Sequence, residues 1–340
     1  MKVHPLQDSA VKLFFESLSE IRQHLDAETT SEIMINDPDN VWIEERGVMK
    51  RLDIRIAPVR LHGAVASLAS SVEKSARAGT EQGIINAGHK GFRFAAVMKP
   101  TAIDGHALSI RKHRDTNYDL DDYVRMGAFS SVHARPEEDT EQIFERGMTD
   151  ERLRDAIAKM VQRRKNVLIA GGTSTGKTTF LNAVAGAIPD SDRVITIEDT
   201  QELKIMVPNR VRLLSNEEKK VTPRMLVALC LRFRPDRIIV GEVRGGEAFD
   251  MLQALNTGHD GGMASIHAST GPLALSRLES VAMLGIPPGS SWTLRDMRKN
   301  IAECFHYVVH LKRTGELRHV SEIVEIKGFK NDEYILNRVF

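Results

Sequence analysis

Between Val167 and Val184 the chain carries the pattern that most limits what it can fold into. Gly171-Gly172-Thr173-Ser174-Thr175-Gly176-Lys177-Thr178 fits the G-x-x-x-x-G-K-[ST] spacing at every fixed position. Val167-Leu168-Ile169-Ala170 leads in as an apolar run suited to a buried parallel strand. Lys177 to Val184 leads out with apolar residues at helical spacing. Strand, glycine turn and helix in that order make a phosphate cradle. Glycines let backbone N–H groups turn inward, and the helix N-terminus adds partial positive charge. Lys177 is expected to reach the β- and γ-phosphates and Thr178 to ligate Mg²⁺, with Gly171 to Thr179 lining the nucleotide.

Three further apolar stretches end in residues suited to such a site. Arg193-Val194-Ile195-Thr196-Ile197 runs into Glu198-Asp199-Thr200-Gln201-Glu202. Carboxylates at the carboxyl end of a strand beside a phosphate loop are placed to hold metal or to polarise water. Arg237-Ile238-Ile239-Val240-Gly241-Glu242 is similar to a Walker B strand but departs from it. No Asp closes the strand, Glu242 stands one residue past the glycine, and Asp236 lies at the opposite end. Glu198 and Glu242 are therefore expected to share the metal and water roles, their division left open. Gly261-Gly262-Met263-Ala264-Ser265-Ile266-His267 supplies the last stretch. A lone His in an apolar strand is usually a core residue. At the end of a fourth strand of one sheet, however, His267 faces the nucleotide, and it is read as a γ-phosphate sensor.

Residues before about 135 change character. Leu6 to Leu25 reads as a helix, Glu32–Asn36, Val41–Glu45 and Val48–Ile54 as strands, Ala57–Arg77 as a helix, and Phe92–Met98 and Ala107–Ile110 as strands. This is an α+β module with antiparallel pairing. Arg93 alternates with Phe92 and Phe94, and Arg111 and Arg114 follow a strand end, positions equally suited to plain solvated charge. A polar, acidic, proline-marked stretch from Ala134 to Glu141 reads as the connection, with helices at Gln142–Arg146 and Asp150–Arg163 beyond it. A formal net charge of +1 over 340 residues gives no support for a nucleic-acid surface. Cys230 and Cys304 form no C-x-x-C pair, so no zinc site is indicated. Lys2, Lys12 and Glu16 interrupt any signal-like run, and no apolar segment reaches membrane-spanning length.

Taken in order, the phosphate loop, Ile197-Glu198-Asp199, the Glu242 strand and the Gly-Gly…His267 box resemble the traffic ATPases of type II and type IV secretion and pilus assembly. The likeness extends to Ile33-Met34-Ile35-Asn36 with Val41-Trp42-Ile43-Glu44, and to Leu108-Ser109-Ile110-Arg111-Lys112. It is strongest toward the VirB-type ATPases of type IV secretion, since the four-cysteine element usual in pilus and type II motors is missing. The resemblance implies an α/β chain: an N-terminal α+β domain at 1–135 covering the nucleotide cleft, a linker at 136–148, and a RecA-like ATPase domain at 149–340. That last domain would hold a mainly parallel sheet with C-terminal antiparallel strands.

The same resemblance implies ATP and Mg²⁺ as cofactors, a homo-hexamer, and partners in the inner-membrane secretion machinery at the cytoplasmic face. It also makes Arg93, Arg111 and Arg114 contacts to the terminal phosphate, Arg111 foremost. Rival readings are a type II or pilus motor, a RecA-like nucleic-acid translocase, and a kinase using the same loop. Near-neutral charge argues against the translocase, and no acceptor-binding feature supports the kinase.

Overall fold

The computed structural model describes residues 4–5, 8–113, 119–129 and 142–340. Its first part is a meander. β2 (Thr30–Asp37), β3 (Asn40–Glu45) and β4 (Val48–Leu52) pair antiparallel, and Arg46 and Gly47, at φ 52° and 79°, make the tight turn between the last two. β5 (Ile84–His89), β6 (Phe92–Val97) and β7 (Ala107–Lys112) extend it, and β1 (His4–Pro5) joins at the edge, giving the order β1-β5-β6-β7-β2-β3-β4. α1 (Asp8–Ser17) and α3 (Pro58–Ser71) bury Phe14, Leu61, Val65 and Leu68, with Leu18 just past α1, against Ile33, Ile85, Phe94 and Ile110.

Three expectations need correcting here. The single helix from Leu6 to Leu25 breaks after Ser17 and resumes as α2 (Arg22–Asp26); the Ser17 hydroxyl donates back to Leu13 O at 2.8 Å, the local bonding by which serines loosen helices. The helix expected to reach Arg77 stops at Ser71, since Glu73 and Ala76 take φ of 58° and 51°. β5 was not expected at all. Its run Ile84-Ile85-Asn86-Ala87-Gly88 neither alternates nor stays apolar, yet Ile84 to Ala87 are all buried.

The second part holds the parallel sheet. In chain order it comprises α5 (Asp150–Gln162), β8 (Val167–Gly171), α6 (Lys177–Ala185), β9 (Val194–Glu198), β10 (Arg210–Leu214), α7 (Pro223–Cys230), β11 (Arg237–Val240) and α8 (Glu247–Leu255). Then come β12 (Met263–Ile266), α9 (Gly271–Met283), α10 (Leu294–Cys304), β13 (Tyr307–Thr314), β14 (Leu317–Lys330) and β15 (Glu333–Arg338). A short α4 (Leu120–Arg125) precedes them. The sheet order is β10-β9-β11-β12-β8-β13-β14-β15, parallel through β13 and antiparallel for the last two strands. β8, β9, β11 and β12 are buried along their whole length, as expected of strands covered by helices on both faces.

Gln142–Arg146, expected to be helical, is irregular. Gly147 at φ 75° and the Thr149 side chain, which caps α5 by accepting from Arg152 N, leave only a few residues before the break, too few to nucleate a helix.

The two sheets meet at β10. Leu214 N donates to Thr101 O at 2.7 Å and Ile103 N to Arg212 O at 2.9 Å, so residues 101–103 lie along that edge strand. Arg193, 0% exposed, donates to Asn36 Oδ1 at 2.6 Å and to Phe233 O at 2.7 Å. Arg234 pairs with Glu44 at 2.9 Å. The first sheet therefore rests against β10 and against the amino ends of β9 and β11.

Candidate nucleotide site

The loop is shaped by close approach. A Cβ on Gly171 would stand 2.5 Å from Thr175 Oγ1 and 2.8 Å from Leu311 O, so no side chain fits there. Ser174 and Gly176 take left-handed φ of 60° and 89°, the alternation that turns amides toward one point. Gly176 is the residue before α6, and Lys177 is its first. Lys177 is 9% exposed, with Nζ 3.2 Å from Gly171 O and 3.3 Å from Gly172 O. Burial lowers its pKa, and the charge of Glu242 opposes that. Thr178 and Thr179 follow on the first turn of α6, while Gly172, Thr173 and Ser174 are exposed.

Two acids stand on neighbouring strands. Glu198 closes β9 and is 4% exposed. Its Oε1 accepts from the backbone N–H of Glu202 at 2.8 Å and of Leu203 at 2.7 Å, while Oε2 is buried without a hydrogen-bond partner among the described residues. Burial raises its pKa, and the two N–H donors pull the other way. Glu242 follows β11 through Gly241, whose O accepts from Ser265 Oγ at 2.6 Å and fixes the turn to β12. A Cβ on Gly241 would stand 3.3 Å from Glu198 Cγ, so the glycine lets the two acidic segments approach.

His267, just past β12, puts Nε2 2.8 Å from Glu242 Oε1, and its ring lies 3.3 Å from Lys177 Nζ. Arg244 donates to Glu242 Oε2 at 2.8 Å and also pairs with Asp199; the Glu242 bond raises its pKa. Lys177, His267, Glu242 and Arg244 thus form a row across the carboxyl ends of β8, β12 and β11.

The arginines of the first sheet lie elsewhere. Arg93 and Arg111 face each other across β6 and β7 and line a cavity of about 380 Å³ with Leu231 and Arg232, just beyond α7. Arg111 Nε is 3.1 Å from Glu32 Oε2. The segment after α7 leads into the amino end of β11, whereas Lys177 and Glu242 stand at carboxyl ends. A single chain therefore does not bring Arg93 or Arg111 to its own phosphate loop. Arg114 lies outside the described residues.

A family model for "Type II/IV secretion system protein" matches residues 16–315. The chain belongs to that family. Among its relatives, the conjugal transfer protein TrbB of Rhizobium radiobacter is 32% identical over 316 residues, spanning 91% of this chain and 88% of the relative. The type IV secretion system protein VirB11 of Bartonella henselae is 31% identical over 342 residues, spanning 94% and 95%. The crystal structure of the VirB11 ATPase from Brucella suis, solved with sulphate, matches at a TM-score of 0.80 and 27% identity, covering 93% of this chain and 96% of that one.

Sequence reasoning about this secretion-family site missed Arg244 and Glu247. Glu247, at the first position of α8, accepts from Arg244 N at 2.6 Å and Gly245 N at 2.8 Å, holding the segment that carries Glu242. The signal was present as Arg244-Gly245-Gly246-Glu247, a glycine pair followed by an acid where a helix begins.

Proposed function

We propose that this secretion-family ATPase hydrolyses Mg²⁺-ATP at the Gly171–Thr179 loop and uses the cycle to drive substrate export or pilus assembly by type IV secretion, at the cytoplasmic face of the inner membrane. The observation that carries the site assignment is the row Lys177–His267–Glu242, which spans three strands at their carboxyl ends. Phosphoryl transfer to water asks for charge neutralisation and a held nucleophile, with little covalent chemistry from the protein. Lys177 leaves the loop carbonyls to reach the β- and γ-phosphates. Glu242 orients the attacking water, and His267 reads the terminal phosphate between them.

The donor set fits Mg²⁺. Thr178 offers a hydroxyl, Glu198 Oε2 is a buried oxygen with no hydrogen-bond partner among the described residues, and Glu242 Oε1 faces only the exchangeable imidazole of His267 at 2.8 Å. One or two carboxylates and the phosphates themselves would hold such an ion. The ion, when bound, neutralises charge developing between the β- and γ-phosphates. Type IV secretion is favoured over the type II and pilus alternatives because the relatives TrbB and VirB11 carry conjugal-transfer and type IV names.

Arg93 and Arg111 cannot serve their own loop from where they stand, so in this reading they complete the site of a neighbouring copy. That requires a closed ring, with six copies the expectation for the family. Closure of the first domain then acts on the neighbour's nucleotide, a positive group supplied in trans. The decisive test is turnover of Lys177→Ala beside its circular dichroism. Hydrolysis is expected to fall at least ~100-fold with the fold intact; a folded variant with near-normal turnover removes the loop assignment.

A further inference from the structure

We infer that the hairpin joining β13 to β14 forms the wall that binds the purine base, with Arg318 lying over the ring and Phe180 and Ala183 beneath it. This rests on the nucleotide reading of the loop. Sheet order fixes the direction in which a nucleotide must lie. β8 carries the loop, and β12, β11 and β9 follow on one side of it, ending beside His267, Glu242 and Glu198. The terminal phosphate belongs on that side. The nucleoside must therefore leave over the other side, where β13 is the neighbour of β8.

There the hairpin overhangs the loop. Leu311 pairs with Gly171, the last residue of β8, so the hairpin from Lys312 to Arg318 continues past the strand end. A Cβ on Gly176 would stand 3.1 Å from Arg318 Cδ, which places the arginine stem on the loop itself. Beneath it lies a cavity of about 290 Å³, lined by Thr179, Phe180, Ala183, Leu311, Arg318 and Val320. That is close to the lower end of cavities that hold small organic ligands, roughly 300 Å³.

Its walls suit a flat heteroaromatic ring. Phe180, Leu311 and Val320 supply apolar surface, and the exposed Arg318 makes no side-chain hydrogen bond or ion pair among the described residues. A planar guanidinium stacks on an aromatic face, and stacking of this kind is tolerant of the base's edge groups. Thr179, on the first turn of α6, stands between phosphate loop and cavity, where the α-phosphate and ribose would pass.

Calorimetric titration of the full chain with Mg²⁺-ADP and with tripolyphosphate separates base from phosphate. Two variants are compared with the wild type: Arg318→Ala, and Ala183→Trp, which fills the cavity from an exposed helix position. ADP affinity is expected to fall about fivefold or more in each, with tripolyphosphate affinity within about twofold of wild type. Equal losses for both ligands would make the hairpin a phosphate contact and overturn the proposal. Unchanged ADP affinity in both variants would place the base elsewhere. A wild-type chain that binds neither ligand would instead defeat the nucleotide reading on which the proposal stands.

Discussion

Glu242 Oε1 stands 2.8 Å from His267 Nε2, joining the segments that follow β11 and β12. The same imidazole touches Lys177 Nζ at 3.3 Å. An acid, an imidazole and an ammonium are thus in series. In the proposed reading a γ-phosphate reaching Lys177 would displace or bridge the histidine, and the same ring would then set where the Glu242 carboxylate points.

Glu242→Gln is expected to keep ATP binding and to lower turnover by at least ~100-fold, the usual loss of a group that positions or polarises the nucleophile. His267→Ala should lose less, because the histidine orients rather than bears the transferred charge. Single-turnover rates and ATP-analogue affinity measured together decide this. A Glu242→Gln enzyme retaining a third of wild-type turnover would remove that residue from the chemistry.

Glu198 trades stability for readiness. Burial raises its folded-state pKa above the ordinary value of 4.5. The folded state then holds the proton more tightly than the unfolded one, so stability falls as pH rises from about 4.5 through the raised folded value, and stays reduced above it. Glu198→Gln removes the buried charge yet keeps a carbonyl oxygen for the Glu202 and Leu203 N–H groups. The nucleotide-free variant is expected to melt about 2 °C or more above wild type at pH 7, with the difference vanishing near pH 4, while its hydrolysis collapses. Thermal melts at both pH values test it, and a variant less stable at pH 7 contradicts the account.

Arg111→Ala and Lys177→Ala are each expected to be nearly inactive alone, yet mixing them should restore activity. In a mixed ring, an intact loop on an Arg111→Ala subunit can meet an intact arginine on a Lys177→Ala neighbour. The recovery should peak near equal proportions and depend on protein concentration. Mixtures no more active than either parent would show that Arg111 acts within its own chain or only as the partner of Glu32.

The ATPase half was legible because its signals are of the strongest kind. Buried parallel strands are short apolar runs, and each of β8, β9, β11 and β12 ends in, or is followed within a few positions by, a residue of the candidate site. The division between Glu198 and Glu242 was not legible, because it depends on which oxygen meets a backbone donor: Glu198 Oε1 is taken by Glu202 and Leu203, a contact four and five residues on. The first domain was harder. β5 hides in a mixed run, α1 breaks at a serine, and the place of Arg111 follows from which helix its sheet packs against, information carried by long-range contacts alone.

Arg193 gives the molecule a mechanical property. It is a cation with no solvent exposure, its pKa drawn down to about 10 by burial against the favourable charge of Glu32, and it is gripped by Asn36 and Asn209 together with the Phe233 carbonyl. Such a rivet does not loosen by degrees. Prising Asn36 away would leave a desolvated charge short of acceptors, a penalty of several kcal/mol. One chain's two sheets are therefore pinned together at this point, and in the ring proposed above any movement would fall on the seams between chains, where Arg93 and Arg111 would arrive at another copy's phosphate.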